Sequence, residues 1–192
     1  SAINDKLTQL KVSLSKQNAS KESIQNITAL YSSTSKGIYD LAAKTKPFVG
    51  SDIWSFFKDK AKKDCVEDCY RNILVILTDG YIYHKDTRLK EGLKTSYITP
   101  EVLRRMNLNT SNFEDVMKQK GIAFLGTNQD LSNLEVLVLG IENHDKSNPY
   151  GNDVIKAYWA NWLNSMNIKR FEIHDADLPV NMDRVISNFI KG

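Results

Sequence analysis

The sequence predicts an α/β domain, a parallel sheet flanked by helices, and three observations predict it. Residues 73–77 (Ile-Leu-Val-Ile-Leu) and 134–139 (Leu-Glu-Val-Leu-Val-Leu) are aliphatic runs of strand length. Such runs mark strands covered on both faces. Between the second run and a third, weaker one at 170–174 lies a broad stripe of large residues at helical spacing: Val154, Ile155, Tyr158, Trp159, Trp162, Leu163 and Met166. Strand, helix, strand and a final helix through Met182, Val185, Ile186, Phe189 and Ile190 give the alternation of parallel crossovers.

The first 47 residues read as a helical segment. Ile3, Leu7, Leu10 and Leu14 recur at spacings of one helical face. The stretch 16–20 breaks that helix. Ile24, Ile27 and Tyr31 form a second face, and Ile38, Leu41 and Ala42 a third after the hydroxyl-rich residues 32–35. Pro47 ends the last helix by restricting Lys46. Residues 48–192 form the α/β core, and the whole chain is read as one domain. Gly50-Ser51-Asp52 opens a helix bearing Ile53, Trp54, Phe57 and Ala61, with Ser51 or Asp52 as the cap. Residues 81–133 are longer than a simple crossover and read as an insertion. Within it Thr99-Pro100-Glu101 starts one helix, and Ser111 with Glu114 forms the capping box of another. Residues 121–126 are a short strand or a buried loop.

Bulk properties favour neither a nucleic-acid nor a membrane-spanning class. A net charge of +3 over 192 residues gives no reason to expect nucleic acid. The lysines of 58–63 are followed at once by Asp64, Glu67 and Asp68, the pattern of a solvated helix face. No apolar stretch approaches the roughly 18 residues of a membrane span. Cys65 and Cys69 lack a second Cys or His pair for zinc and have poor spacing for a disulfide, so they read as free thiols. His84, His144 and His174 lie in different elements and read as surface histidines. His144 and Asp145 follow the second strand at the same sheet edge as Asp79. Asp175 and Asp177 follow the third strand as candidate caps of the last helix. No nucleophile elbow or phosphate-binding glycine loop is present.

Thr78-Asp79-Gly80 ends the first aliphatic strand, where ligands bind in open parallel sheets. Asp79 alone is as well explained by a turn, which Gly80 would relieve. Together with Gly50-Ser51-Asp52 at a helix start, however, "ILTDGY" resembles the von Willebrand factor A-like family, and a bacterial branch of it more than the integrin type. The resemblance covers about 50–192. It implies a metal-ion-dependent adhesion site in which Ser51 supplies a hydroxyl and Asp79 a carboxylate to Mg²⁺, a hard cation that takes oxygen ligands. The family's third part, an Asp-x-Ser-x-Ser strand end, has no counterpart here. Residues 130–134 match only its first two residue types and precede a strand. Nothing before residue 73 reads as a strand, and the chain opens at Ser1 without a Met.

Three expectations follow from that gap. The favoured one is an N-terminal part, carrying the strand, that lies outside these residues, because the 73–77 strand needs a neighbour at its edge. Alternatively another chain supplies it, or the fold is a reduced unit. The resemblance implies a non-enzymatic domain that binds a protein ligand. It also implies weak Mg²⁺ binding or none, and a bacterial extracytoplasmic or lipoprotein-anchored setting. The alternatives are an α/β hydrolytic enzyme using Asp79 with a carboxylate or histidine from 142–145, and a purely structural scaffold.

Overall fold

The computed structural model describes residues 2–44 and 50–192. Packing divides the chain into two compact units, 1–48 and 49–192. In the first unit, α1 (Ala2–Gln9) packs with α2 (Lys21–Lys44). The helix expected to reach Leu14 stops at Gln9. Its continuation is replaced by a turn in which Asn18 Oδ1 accepts from Ser15 N at 2.6 Å, the local bonding by which Ser and Asn compete with helix. Ser20 Oγ then accepts from Ser23 N at 3.0 Å and opens α2. No break occurs at residues 32–35. Thr28 and Ser33 donate their hydroxyls to the carbonyls of Ile24 and Leu30, which lets hydroxyl residues remain inside one long helix. Tyr31 ties the two helices by donating to Leu10 O. The stop expected at Lys46-Pro47 lies outside the described residues.

The second unit holds β1 (Gly50–Ser51), α3 (Ile53–Asp59), α4 (Ala61–Cys65), β2 (Asn72–Leu77), β3 (Tyr83–His84), β4 (Lys90–Glu91), β5 (Lys94–Thr95), α5 (Pro100–Met106), α6 (Phe113–Lys120), β6 (Ala123–Phe124), β7 (Leu134–Ile141), α7 (Gly151–Ser165), β8 (Arg170–Asp175) and α8 (Pro179–Lys191). Its centre is a three-stranded parallel sheet in the order β2-β7-β8, so the predicted parallel sheet with helices is present. Leu77 pairs with Leu139, and Leu139 with His174, which brings the strand ends to one edge. Alternate residues of β7 feed two cores. Val136 and Val138 join α7, α3 and the 81–133 segment, while Leu137 and Leu139 meet Phe189, Met182, Val185 and Ile186 of α8. The stripe on α7 is buried throughout, as its spacing predicts.

Two sequence expectations are corrected here. β2 is not covered on both faces. It is an edge strand of the sheet, and Val75 and Leu77 are 38% and 68% exposed. A continuous apolar run cannot show how much of each face the flanking helices cover. The 81–133 insertion contributes Ile82, Ile98, Leu103, Leu108, Phe113, Met117, Ile122, Phe124 and Leu131 to the main core. Ser111 does not cap α6, which starts from Asn112 without a side-chain cap bond. Thr99 does cap α5, with Pro100 in its first turn.

At the opposite end of the sheet, Glu135 binds both Arg71 and Arg170. Both guanidiniums also donate to the carbonyl of Phe189, and Arg71 reaches that of Ile190. These cations sit where the α8 dipole favours them. The Arg71 hydrogen bonds hold the Glu135 carboxyl below its ordinary range, against partial burial and with help from Arg170.

Candidate functional site: the carboxyl edge of the sheet

Past Leu77 the chain stays on β7 for two residues: Thr78 N donates to Leu139 O, and Asp79 O accepts from Glu142 N. The turn is then closed locally. Thr78 Oγ1 accepts from Gly80 N, and Asp79 Oδ1 accepts from Tyr81 N, each at 3.0 Å. Gly80 adopts φ +94°, and a Cβ there would lie 2.4 Å from Ile155 Cγ2 and 2.8 Å from Ile141 Cδ1. Its carbonyl accepts from the buried Trp159 Nε1 at 2.9 Å. Glycine is therefore required twice, by backbone conformation and by the close approach of α7.

This rigid turn presents the other Asp79 oxygen to His144 Nε2 at 3.0 Å. The carboxylate is 44% and the imidazole 50% exposed, so the pair is accessible. His144 lies against Tyr81, with ring centroids 5.3 Å apart and planes 21° from parallel. The Tyr81 hydroxyl donates to Asn143 Oδ1 and accepts from His144 N. Burial raises the Tyr81 pKa most, aided by Asp79 and Asp145, so the phenol stays protonated at neutral pH.

Asn143 anchors the loop after β7. Its side-chain amide donates to the carbonyls of Asp145 and Asn148, its Oδ1 accepts from Asp145 N, and its own N–H goes to Asn152 Oδ1. It packs against Gly151, where any Cβ would fall 2.0 Å from Asn143 Nδ2. Asp145 is held below the ordinary carboxylate range by the hydroxyl and N–H of Ser147, with Arg104 adding a favourable charge. A small polar cavity of about 80 Å³ adjoins this loop, lined by Arg104, Asn107, Asn143 and Asp145 among others.

Ser51 lies on β1, which pairs antiparallel with β3 so that Ser51 opposes Tyr83. It is exposed. The segment carrying Ser51 thus runs beside the chain four residues beyond Asp79. Asp52 is occupied elsewhere. It caps α3 by accepting from Ser55 N at 3.1 Å, and accepts from Thr87 Oγ1 at 2.6 Å, with His84 3.6 Å away. Burial opposes its ionisation, but the Thr87 and Ser55 hydrogen bonds and His84 together hold its carboxyl below the ordinary range.

Ser51 is brought to the strand that follows the Asp79 turn and not into contact with Asp79 itself, whose two oxygens already have partners among the described residues. A hydroxyl and a carboxylate suit Mg²⁺ in kind, and two protein oxygens fall short of its coordination number. Among the described residues no cluster of three His, Cys, Asp or Glu side chains could hold a metal.

Sequence reasoning placed His144 at this edge but treated it as a surface residue. The usable signal was register. With Leu77 opposite Leu139, the segments 79–81 and 142–144 leave the sheet side by side. The other candidates disperse. His174 pairs with Glu172. Asp175 does not cap α8, being held by Asn152 and Lys156. Asp177 accepts from Leu178 N and Asn181 Nδ2 at the start of α8. Cys65 and Cys69 are free thiols. The chain matches no family model, no curated protein and no solved structure.

Proposed function

We propose that this chain is a non-enzymatic protein-interaction domain of the von Willebrand factor A-like type, and that it meets its protein ligand at the carboxyl edge around Asp79. The observation that carries the reading is the presentation of Asp79. A half-exposed carboxylate stands on a turn fixed from below by Gly80 and Trp159, with a stacked Tyr81–His144 pair beside it. Rigid loops at the carboxyl ends of parallel strands are where such folds place ligands. Stacked aromatic side chains add contact area at little entropic cost.

In this reading Ser51 and Asp79 form a degenerate adhesion site. A bound Mg²⁺ would supply a Lewis-acidic centre for a carboxylate of the ligand. The Ser51 hydroxyl and Asp79 carboxylate would be its protein donors, and Asp79 would have to release His144. Binding is accordingly weak, because a hard cation held by two protein oxygens keeps most of its waters. Titration of MgCl₂ followed by ¹H–¹⁵N spectra tests it. Shifts should centre on residues 50–52, 79–81 and 143–145, and Asp79→Asn should remove them.

A second reading has one observation in its favour. Asp79 and His144 are in hydrogen-bond contact, the geometry by which a carboxylate orients an imidazole for acid–base work. A screen of esterase, phosphatase and peptidase substrates separates the two. Turnover lost in both Asp79→Ala and His144→Ala would replace the interaction reading with a hydrolytic one.

A further inference from the structure

The two edges of the parallel sheet differ in chemistry. The β8 edge carries Arg170, Glu172, His174 and Asp175, charges of the kind that keep an edge from pairing. The β2 edge, Asn72–Leu77, has no charge, no proline and no bulge. No strand pairs with its outer side among the described residues. Parallel pairing uses the main-chain groups of alternate residues. Since Thr78 N faces β7, the N–H and C=O groups of Ile73, Val75 and Leu77 point outward. Their side chains also share one face, the face on which Ile73 joins the α8 core. Val75 and Leu77 continue that apolar floor past the helix, and are exposed.

We infer that this edge is a homodimer interface, in which a second copy of the chain pairs antiparallel through its own β2 about a two-fold axis at Val75. That register is selected by the edge itself. It places Val75 opposite Val75 of the second copy and Ile73 opposite its Leu77, all residues whose main-chain groups face outward. Each such pair exchanges both hydrogen bonds. Their side chains meet on one face and extend the apolar floor from one α8 to the other. At both ends Arg71 lies opposite Asp79 of the second copy, so unlike charges flank the apolar centre and no like charges oppose each other. With the axis at Leu74 or Ile76 the outward groups still match, but only two apolar outward pairs remain and Leu77 or Ile73 falls opposite Arg71 or Asp79, so the Val75 axis buries the most apolar surface. The interface does not depend on whether Asp79 takes a metal.

Sedimentation equilibrium of the 192-residue chain, from roughly 1 to 200 µM, reads the association directly. A reversible monomer–dimer equilibrium is expected, with amide exchange at Ile73, Val75 and Leu77 slowing as concentration rises. Leu77→Lys places a charge on an exposed side chain, and Val75→Pro removes an outward donor where an edge strand tolerates it. Each should weaken dimerisation by about tenfold or more, while Glu172→Lys on the β8 edge should leave it unchanged. A monomer throughout that range overturns the inference, whether the β2 amides exchange freely or are protected by other parts of the same chain. So does a dimer indifferent to both β2 variants.

Discussion

At the scale of single residues, the site depends on two glycines that admit no side chain. Gly80→Ala must strain a backbone at φ +94° and push a Cβ into Ile155 and Ile141. A loss of about 3 kcal/mol or more in urea unfolding is expected from strain and overpacking together. Asp79 should behave in the opposite way. Its pair with His144 is half exposed, so Asp79→Asn should cost under about 1 kcal/mol while removing the response to Mg²⁺. A large stability loss would make Asp79 a structural residue, as the scaffold alternative holds. The sequence showed Asp79 and Gly80 as a strand-end turn, and that turn is present in the Tyr81 N bond to Asp79 Oδ1. It did not show His144 as a partner. The contact spans 65 positions, and only strand register connects the two residues.

At the scale of elements, α7 joins core and site. Its tryptophan at 159 donates to the Gly80 carbonyl from a fully buried position. Trp159→Phe should leave that carbonyl unsatisfied and a gap in the core, destabilising by about 2–4 kcal/mol. The same variant should broaden or shift the Tyr81 and His144 resonances, since the turn loses its support. The buried face of α7 was fully legible, because large apolar residues at helical spacing admit one reading. The open edge of β2 was legible too, but its uncovered face was not. An aliphatic run states that a strand is apolar on both faces, while the reach of α8 decides how much of one face is covered, and Val75 and Leu77 lie beyond it. The helix of the first unit was misjudged at residues 32–35 for a related reason. Serine and threonine look like breakers in sequence, yet back-bonding to helix carbonyls absorbs them.

At the scale of the whole molecule, the acid response follows from the carboxylates. Glu135 and Asp52 both have folded pKa values below their ordinary 4.5 and 3.8. Their contribution is complete above those ordinary values. It is lost as pH falls through the lowered folded values. The urea midpoint should therefore hold steady from neutral pH to about pH 5 and fall steeply below pH 4. Glu135→Gln should flatten part of that fall, because it removes the proton uptake that Arg71 and Arg170 oppose.

The proposed ligand-facing site is the carboxyl edge around Asp79, with its degenerate set of oxygen donors. Titration of the ¹⁵N-labelled chain with MgCl₂ tests it most directly. Shifts should be weak, cluster at Ser51, Asp79, Tyr81 and His144, and be absent from Asp79→Asn. Shifts scattered over unrelated carboxylates and unchanged in Asp79→Asn would contradict it, as would a micromolar affinity.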